Sequence, residues 1–266
     1  MIRDITIGQY YPSNSVLHSL DPRVKLMGTL VYVLSLFLFR GPAGLAAVTL
    51  GLIALIKLSH VPFRYMVKGL KAIAVILIMT AMFNLFLTPG EPLVSFWIFR
   101  ITEEGLTSAG FMAVRLTFLI LGSSVLTLTT TPNQLTDGLE KALRPLNKVR
   151  IPVHEIAMIM SIALRFIPIL IEETDKIMKA QLARGADFER GNLIRRVKAM
   201  VPLLVPLFIS AFRRANDLAL AMEARCYRGG AGRTKMNPLK YTGRDGAAYL
   251  VMAGYFTGVL LLRILL

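Results

Sequence analysis

Five apolar stretches, each of sixteen residues or more and none carrying a carboxylate, exclude most ways for this chain to fold in water. They are Val24–Phe39, Ala43–Leu58, Gly69–Leu87, Leu106–Leu128 and Ala247 to the C-terminus. A spanning helix needs roughly 20 apolar residues, so the longer runs suffice, while the first two are short and Gly41-Pro42 divides them at a tight turn. Mean hydropathy is +0.58, and charged residues make up only 18% of the chain against about 25% in ordinary soluble domains. The apolar surplus therefore faces a lipid bilayer. The pattern predicts an all-α integral membrane protein with about five transmembrane helices plus a cytoplasmic or interfacial domain built on two long amphipathic helices.

Loop charges orient the runs. Residues 57–71 carry Lys57, Arg64, Lys68 and Lys71 and no acid, whereas 88–105 carry Glu91, Glu103 and Glu104 against Arg100. The positive-inside rule puts 57–71 in the cytoplasm and 88–105 outside, so the N-terminus is expected inside and the C-terminus outside. The net charge of +15 would suit nucleic acid in a soluble protein, but here it is read as the topology-setting excess, with no nucleic-acid partner expected. Residues 1–20 hold Arg3, Asp4 and several polar groups, so no signal peptide is expected before the first run. The organisation that follows is a membrane domain over 1–131 with about four spans, a cytoplasmic coupling domain over 132–245, and a last span over 246–266. Arg115 falls inside the fourth run. An ionisable residue there is a functional candidate, the plainer alternative being that it snorkels outward to Glu103 or Glu104.

Residues 132–245 are too long for a loop and too apolar for a linker. They hold 20 of the 31 basic and 11 of the 16 acidic residues. One helical pattern starts at Pro152 and places Val153, Ile156, Met160, Ala163, Ile167, Leu170, Ile177 and Met178 on one face. A second starts near Asn192 and carries Leu193, Val197, Val201, Leu204, Leu207, Phe208, Phe212 and Leu218, with Pro202 and Pro206 expected to bend it. Both are read as helices partly sunk in the bilayer or against neighbours. Spans over 151–171 and 199–212 are the alternative, and they would leave the orientation of the C-terminus unchanged.

The two patterns end alike. The first closes on Ala180-Gln181-Leu182-Ala183-Arg184-Gly185, the second on Ala221-Met222-Glu223-Ala224-Arg225-Cys226. Each has alanine four before and one before an arginine, with a small residue after it. An arginine in a last turn complements the helix dipole, and glycine is an ordinary helix stop. The matched pair suggests more: small flanking residues let a guanidinium enter a partner's groove, where its planar fork can meet a carboxylate.

Several chemistries have no support. There is no G-x-x-x-x-G-K-[ST] loop, no G-x-S-x-G, no H-E-x-x-H and no G-x-G-x-x-G after a strand. Cys226 is the only cysteine, and His18, His60 and His154 lack metal-ligand spacing, so neither a disulfide nor a metal centre is expected. An enzyme acting on lipid would want acids inside a span, and the runs have none.

At this point the chain resembles a known family. His18-Ser19-Leu20-Asp21-Pro22-Arg23-Val24-Lys25-Leu26 looks like the entry to the first helix of the transmembrane T component (EcfT) of energy-coupling factor transporters. Ala183-Arg184-Gly185 resembles that family's first coupling motif. Met222 to Gly230, followed by Gly232-Arg233-Thr234, is similar to its second motif and tail. The family usually has glycine where Cys226 stands. The resemblance implies a non-enzymatic subunit of an importer in the bacterial plasma membrane. Two ABC-type ATPase subunits would bind ATP and magnesium, this chain holding no cofactor itself, and a small membrane S component would capture a vitamin or a transition-metal ion. By motif match, Ala183, Arg184 and Gly185 together with Ala224, Arg225 and Cys226 would dock into the ATPases. Asp21, Pro22 and Arg23 match as well, either as a helix start with Asp21 as N-cap or as a specific salt bridge. The alternatives are the permease of a conventional ABC importer, which would carry the substrate path itself and one main coupling segment, and an integral membrane enzyme. The missing phosphate loop predicts that the purified chain, free of ATPase subunits, neither turns over ATP nor binds vitamin; phosphate release above background would contradict this.

Overall fold

A computed structural model describes residues 10–38, 41–90, 92–96, 99–186, 188, 192–230 and 236–265. Arg3, Asp4, Phe39, Arg40, Glu91 and the motif-tail residues Gly232, Arg233 and Thr234 lie outside them. The chain divides into two compact units, one of residues 8–139 and 239–266, the other of 1–7 and 140–238.

In the first unit a short helix α1 (Val16–Ser19) leads into α2 (Pro22–Leu38), α3 (Pro42–Ser59) and α4 (Phe63–Leu87). Gly41 makes the turn before α3 at φ 108°, a conformation that favours glycine, and Pro42 opens the helix. The expected outside loop after α4 contains a hairpin of β1 (Pro92–Phe96) and β2 (Phe99–Thr102), paired antiparallel. Helix α5 (Glu103–Thr129) follows directly, its N-terminus capped by the Thr102 hydroxyl, which accepts from the Gly105 N–H at 3.0 Å. Two further helices are α6 (Pro132–Leu143), which runs across the boundary between the units, and α9 (Gly243–Leu265) at the end of the chain. By length and composition α5, α9 and α7 (Val153–Ala183) can each cross a membrane; the two limbs of α4, inclined at 62°, qualify together. Among the described residues that gives three spanning-competent helices, or four with α4, and it includes the 151–171 stretch, the alternative to a helix partly sunk in the bilayer.

Helix α5 is the centre of this unit. Tyr32 and Leu36 of α2, Val48 and Leu52 of α3, Met66 of α4, and Leu121, Val125 and Leu128 of α5 form one buried cluster. Small residues set the close approaches, as they do where helices pack without a hydrophobic drive. A Cβ on Gly122 would overlap the Tyr32 ring, whose hydroxyl donates to the Phe118 carbonyl at 3.2 Å. Helix α9 packs on α2 at Gly28, against the Met252 sulfur, and on α3 at Gly51, against Tyr255, whose hydroxyl bonds Ser35 at 2.9 Å. Arg115 places its guanidinium carbon 5.8 Å from the centroid of the Phe37 ring, a cation–π contact between α5 and α2.

One buried carboxylate joins two helix starts. Asp245 Oδ1 accepts the Asp21 N–H at 2.9 Å, and its Oδ2 accepts the Thr242 N–H and hydroxyl, both at 2.8 Å. Asp21 in turn accepts the Arg23 N–H at 2.9 Å and pairs with its guanidinium at 2.8 Å, so the helix cap and the salt bridge coexist. The Arg23 guanidinium also lies 3.7 Å over the Tyr241 ring. Lys25 reaches the end of α5, donating to the carbonyls of Thr129 at 3.0 Å and His18 at 3.2 Å.

Burial pushes the Asp21 carboxyl upward, but the hydrogen bonds and charge of Arg23 outweigh it and hold the carboxyl below its ordinary 3.8. A depressed carboxyl contributes stability that is complete above the unfolded value and fades only as pH falls through the lowered one. The Asp21 contribution is therefore expected to be constant from pH 8 to about 5. Asp245→Ala strands two backbone N–H groups and a hydroxyl, and is expected to cost about 3 kcal/mol, read as a lower thermal unfolding midpoint in detergent.

Candidate functional site

The second unit is built on α7 (Val153–Ala183) and α8 (Leu193–Ala224), which follow a 3-10 turn over Arg144–Val149. Pro152 precedes α7, and Pro168 continues within it; Pro202 and Pro206 continue within α8. Proline lacks an N–H, so Pro206 leaves the Pro202 carbonyl, four residues back, without its helical partner. Gln181 of α7 fills that vacancy, its Nε2 donating to the Pro202 carbonyl at 3.4 Å. Glu173 of α7 pairs with Arg214 of α8 at 3.0 Å. As α7 advances from 173 to 181, its partner on α8 retreats from 214 to 202, so the helices run antiparallel. Their C-termini consequently lie at opposite ends of the pair, separated by roughly 30 Å at 1.5 Å per residue.

Both C-termini fold identically. After α7 the Gly185 N–H donates to the Leu182 carbonyl and the Ala186 N–H to the Gln181 carbonyl, each at 3.0 Å, with Gly185 at φ 86°. After α8 the Cys226 N–H donates to Glu223 at 2.8 Å and the Tyr227 N–H to Met222 at 3.0 Å, with Cys226 at φ 57°. Each is a Schellman motif, with Arg184 or Arg225 as the C-cap and the next residue left-handed. The small residue after each arginine is thus a backbone requirement of the turn. Glycine meets it without strain at 185; cysteine at 226 carries a Cβ into a conformation that L-residues avoid by roughly 1–2 kcal/mol.

The turns leave both arginines at the surface. Ala183, Arg184 and Gly185 are exposed, as are Ala224, Arg225 and Cys226. The backbone N–H groups of Arg184 and Arg225 are bonded within their helix ends, while among the described residues neither guanidinium has a hydrogen-bond or ion-pair partner. Asp21, Pro22 and Arg23 belong to the first unit, where they form the helix-start clamp. Missed by sequence reasoning were Asp245, Gln181, the Glu173–Arg214 pair, and a contact of Gly230 with His154. The first had a readable signal in the T-x-x-D spacing of Thr242 and Asp245, a capping box. The rest are long-range pairings that no local pattern announces. Among the described residues no group of three or more His, Cys, Asp or Glu side chains gathers to hold a metal ion.

The fold and the motif pair define a class: a multi-helix membrane protein with paired, arginine-capped amphipathic helices. The family model CbiQ, described as "Cobalt transport protein", matches residues 13–236. An energy-coupling factor transporter transmembrane protein EcfT from Clostridium kluyveri is 55% identical over 94% of this chain and 93% of its own length. The EcfT proteins of Thermosediminibacter oceani, 50% identical over 98% of this chain and 99% of their own, and Bacillus subtilis, 49% over 92% and 93%, are similarly close. The chain belongs to this CbiQ/EcfT family of transmembrane components of energy-coupling factor transporters. The relatives carry the name of a transporter's transmembrane component, which points to a non-enzyme.

The φ values give a direct test of the αL requirement. Cys226→Gly is expected to stabilise the α8 terminus by about 1 kcal/mol and to leave transport unchanged. Gly185→Ala, with open space around its Cβ but φ 86°, is expected to destabilise by a similar amount. Thermal unfolding of the two variants should shift in opposite directions; a common direction would contradict the strain account.

Proposed function

We propose that this chain couples two cytoplasmic ABC-type ATPases to a small membrane S component, so that ATP-driven motion releases a captured vitamin or transition-metal ion into the cell. ATP and magnesium are held by the ATPases, and this chain is not catalytic. The protein is multi-pass in the plasma membrane, with its N-terminus and residues 132–245 in the cytoplasm and its C-terminus outside. The S component rests on the membrane helices and on the apolar faces of the coupling helices.

The observation that carries this reading is the pair of exposed arginines, each presented by the same left-handed turn at opposite ends of one antiparallel helix pair. Two identical plugs about 30 Å apart suit two related sockets, one on each member of an ATPase pair. Ala183 and Ala224 clear the approach, and the guanidinium supplies a fixed charge that a groove carboxylate can grip bidentately. Membership of a family of transporter transmembrane components supports a role in transport.

Removing one partner of a buried ion pair costs about 3–5 kcal/mol, or roughly two to four orders of magnitude in affinity for that arm. Arg184→Ala or Arg225→Ala alone should leave partial assembly, held by the other arm, and impair uptake into proteoliposomes. The double variant should insert in the membrane but lose both ATPases and transport. Lysine should rescue poorly, lacking the planar fork. A double alanine variant that assembles and transports like the parent would reduce the arginines to ordinary helix ends.

A further inference from the structure

The second arginine motif continues into a segment with a contact of its own. After the turn at Cys226 the chain passes through Tyr227 and Arg228 and bends at Gly229, φ 89°, to bring Gly230 against the first turn of α7. A Cβ on Gly230 would overlap the His154 ring at Cδ2, with His154 Cγ at 3.1 Å and Glu155 Oε1 at 3.2 Å. The ring cannot simply swing aside, because His154 Nδ1 is hydrogen-bonded to Glu140 Oε1 of α6 at 2.9 Å, and its Nε2 is buried. With Glu140 ionised, Nδ1 carries the proton and donates. By contrast, a Cβ on Gly185, the corresponding turn residue of the first motif, would meet nothing within 4 Å.

We propose that the segment Arg228–Gly230 is a fold-back brace that fixes the Arg225 arm to the start of α7, with Gly230 and the Glu140-held His154 as positioning residues. The proposal rests on the docking reading of Arg225. Five residues reach at most roughly 17 Å, so seating Gly230 on His154 confines Arg225 to a small volume beside the α7 N-terminus. The antiparallel register of α7 and α8 puts the α8 C-terminus toward that same end, so the brace closes a short span. Glycine at 230 is then a contact requirement: the backbone must lie flat on an imidazole that Glu140 holds in place. An arm held in its docking pose loses less freedom when it enters a groove, and this raises affinity without a new contact to the partner. Since Gly230 and His154 sit at the Arg225 end of the pair, the brace acts on one arm alone.

The experiment reads arm specificity, which general damage to the fold would not produce. Affinity for the purified ATPase pair is measured for full-length R184A, which docks through Arg225, and R225A, which docks through Arg184. Each carries in turn Gly230→Ala, which adds volume to the contact, or His154→Ala, which removes its platform. Both brace variants should weaken ATPase binding roughly tenfold in the R184A background and leave the R225A background unchanged. Equal effects in the two backgrounds, zero included, or a larger effect on R225A, would overturn the proposal, as would an effect of only one of the two brace variants. ATPases still bound to R184A/R225A would overturn the docking reading and the brace with it.

Discussion

The ends of helices govern this molecule. Each α-helix leaves four N–H and four carbonyl groups without intrahelical partners, and a protein with so much apolar surface has little water to offer them. The solutions recur at every functional point. Asp245 accepts from Asp21 and Thr242 at the starts of α2 and α9. Lys25 donates to the last residue of α5. Gln181 supplies the donor that Pro206 withholds from Pro202. The Schellman turns at Gly185 and Cys226 satisfy the carbonyls of Gln181, Leu182, Met222 and Glu223. In each case satisfying the backbone also fixes something else, a helix junction in the first unit and an exposed arginine in the second.

This explains why the two arginine motifs look alike in sequence while lying 41 residues apart. The turn demands a residue tolerant of positive φ at its second position, and a small residue before the arginine keeps the approach open. These are stereochemical requirements of a helix end, and a groove that accepts one such end accepts another of the same shape. Gly185 meets this φ without strain; Cys226 meets it at a strain of about 1 kcal/mol.

Much of the fold was legible because its signals are local. Acid-free runs, the Gly41-Pro42 break, the Asp21-Pro22 helix start and the 3.6-residue periodicity of α7 and α8 each act within a few residues. The β1–β2 hairpin was not legible, since its short strands carry no alternation strong enough to stand out from a polar loop. The 151–171 stretch of α7 carries His154, Glu155 and Arg165, and the partner of such a group need not lie nearby in sequence. For His154 that partner is Glu140, fourteen residues away on another helix. The arginine motifs were found by their repetition, but the antiparallel register that separates them, and the seating of Gly230 on His154, depend on pairings such as Glu173 with Arg214, forty-one residues apart.

The central claim is that one antiparallel helix pair engages two ATPase subunits at once, one through each arginine-capped end. It is tested most directly by placing a photo-crosslinking residue beside each motif, at Ala183 and Ala224 of the same chain, and irradiating the assembled transporter. The account predicts a covalent product that contains this chain and two ATPase subunits, with either single site giving a product with one. Crosslinks from both sites to a single ATPase subunit, or to no ATPase, would contradict it.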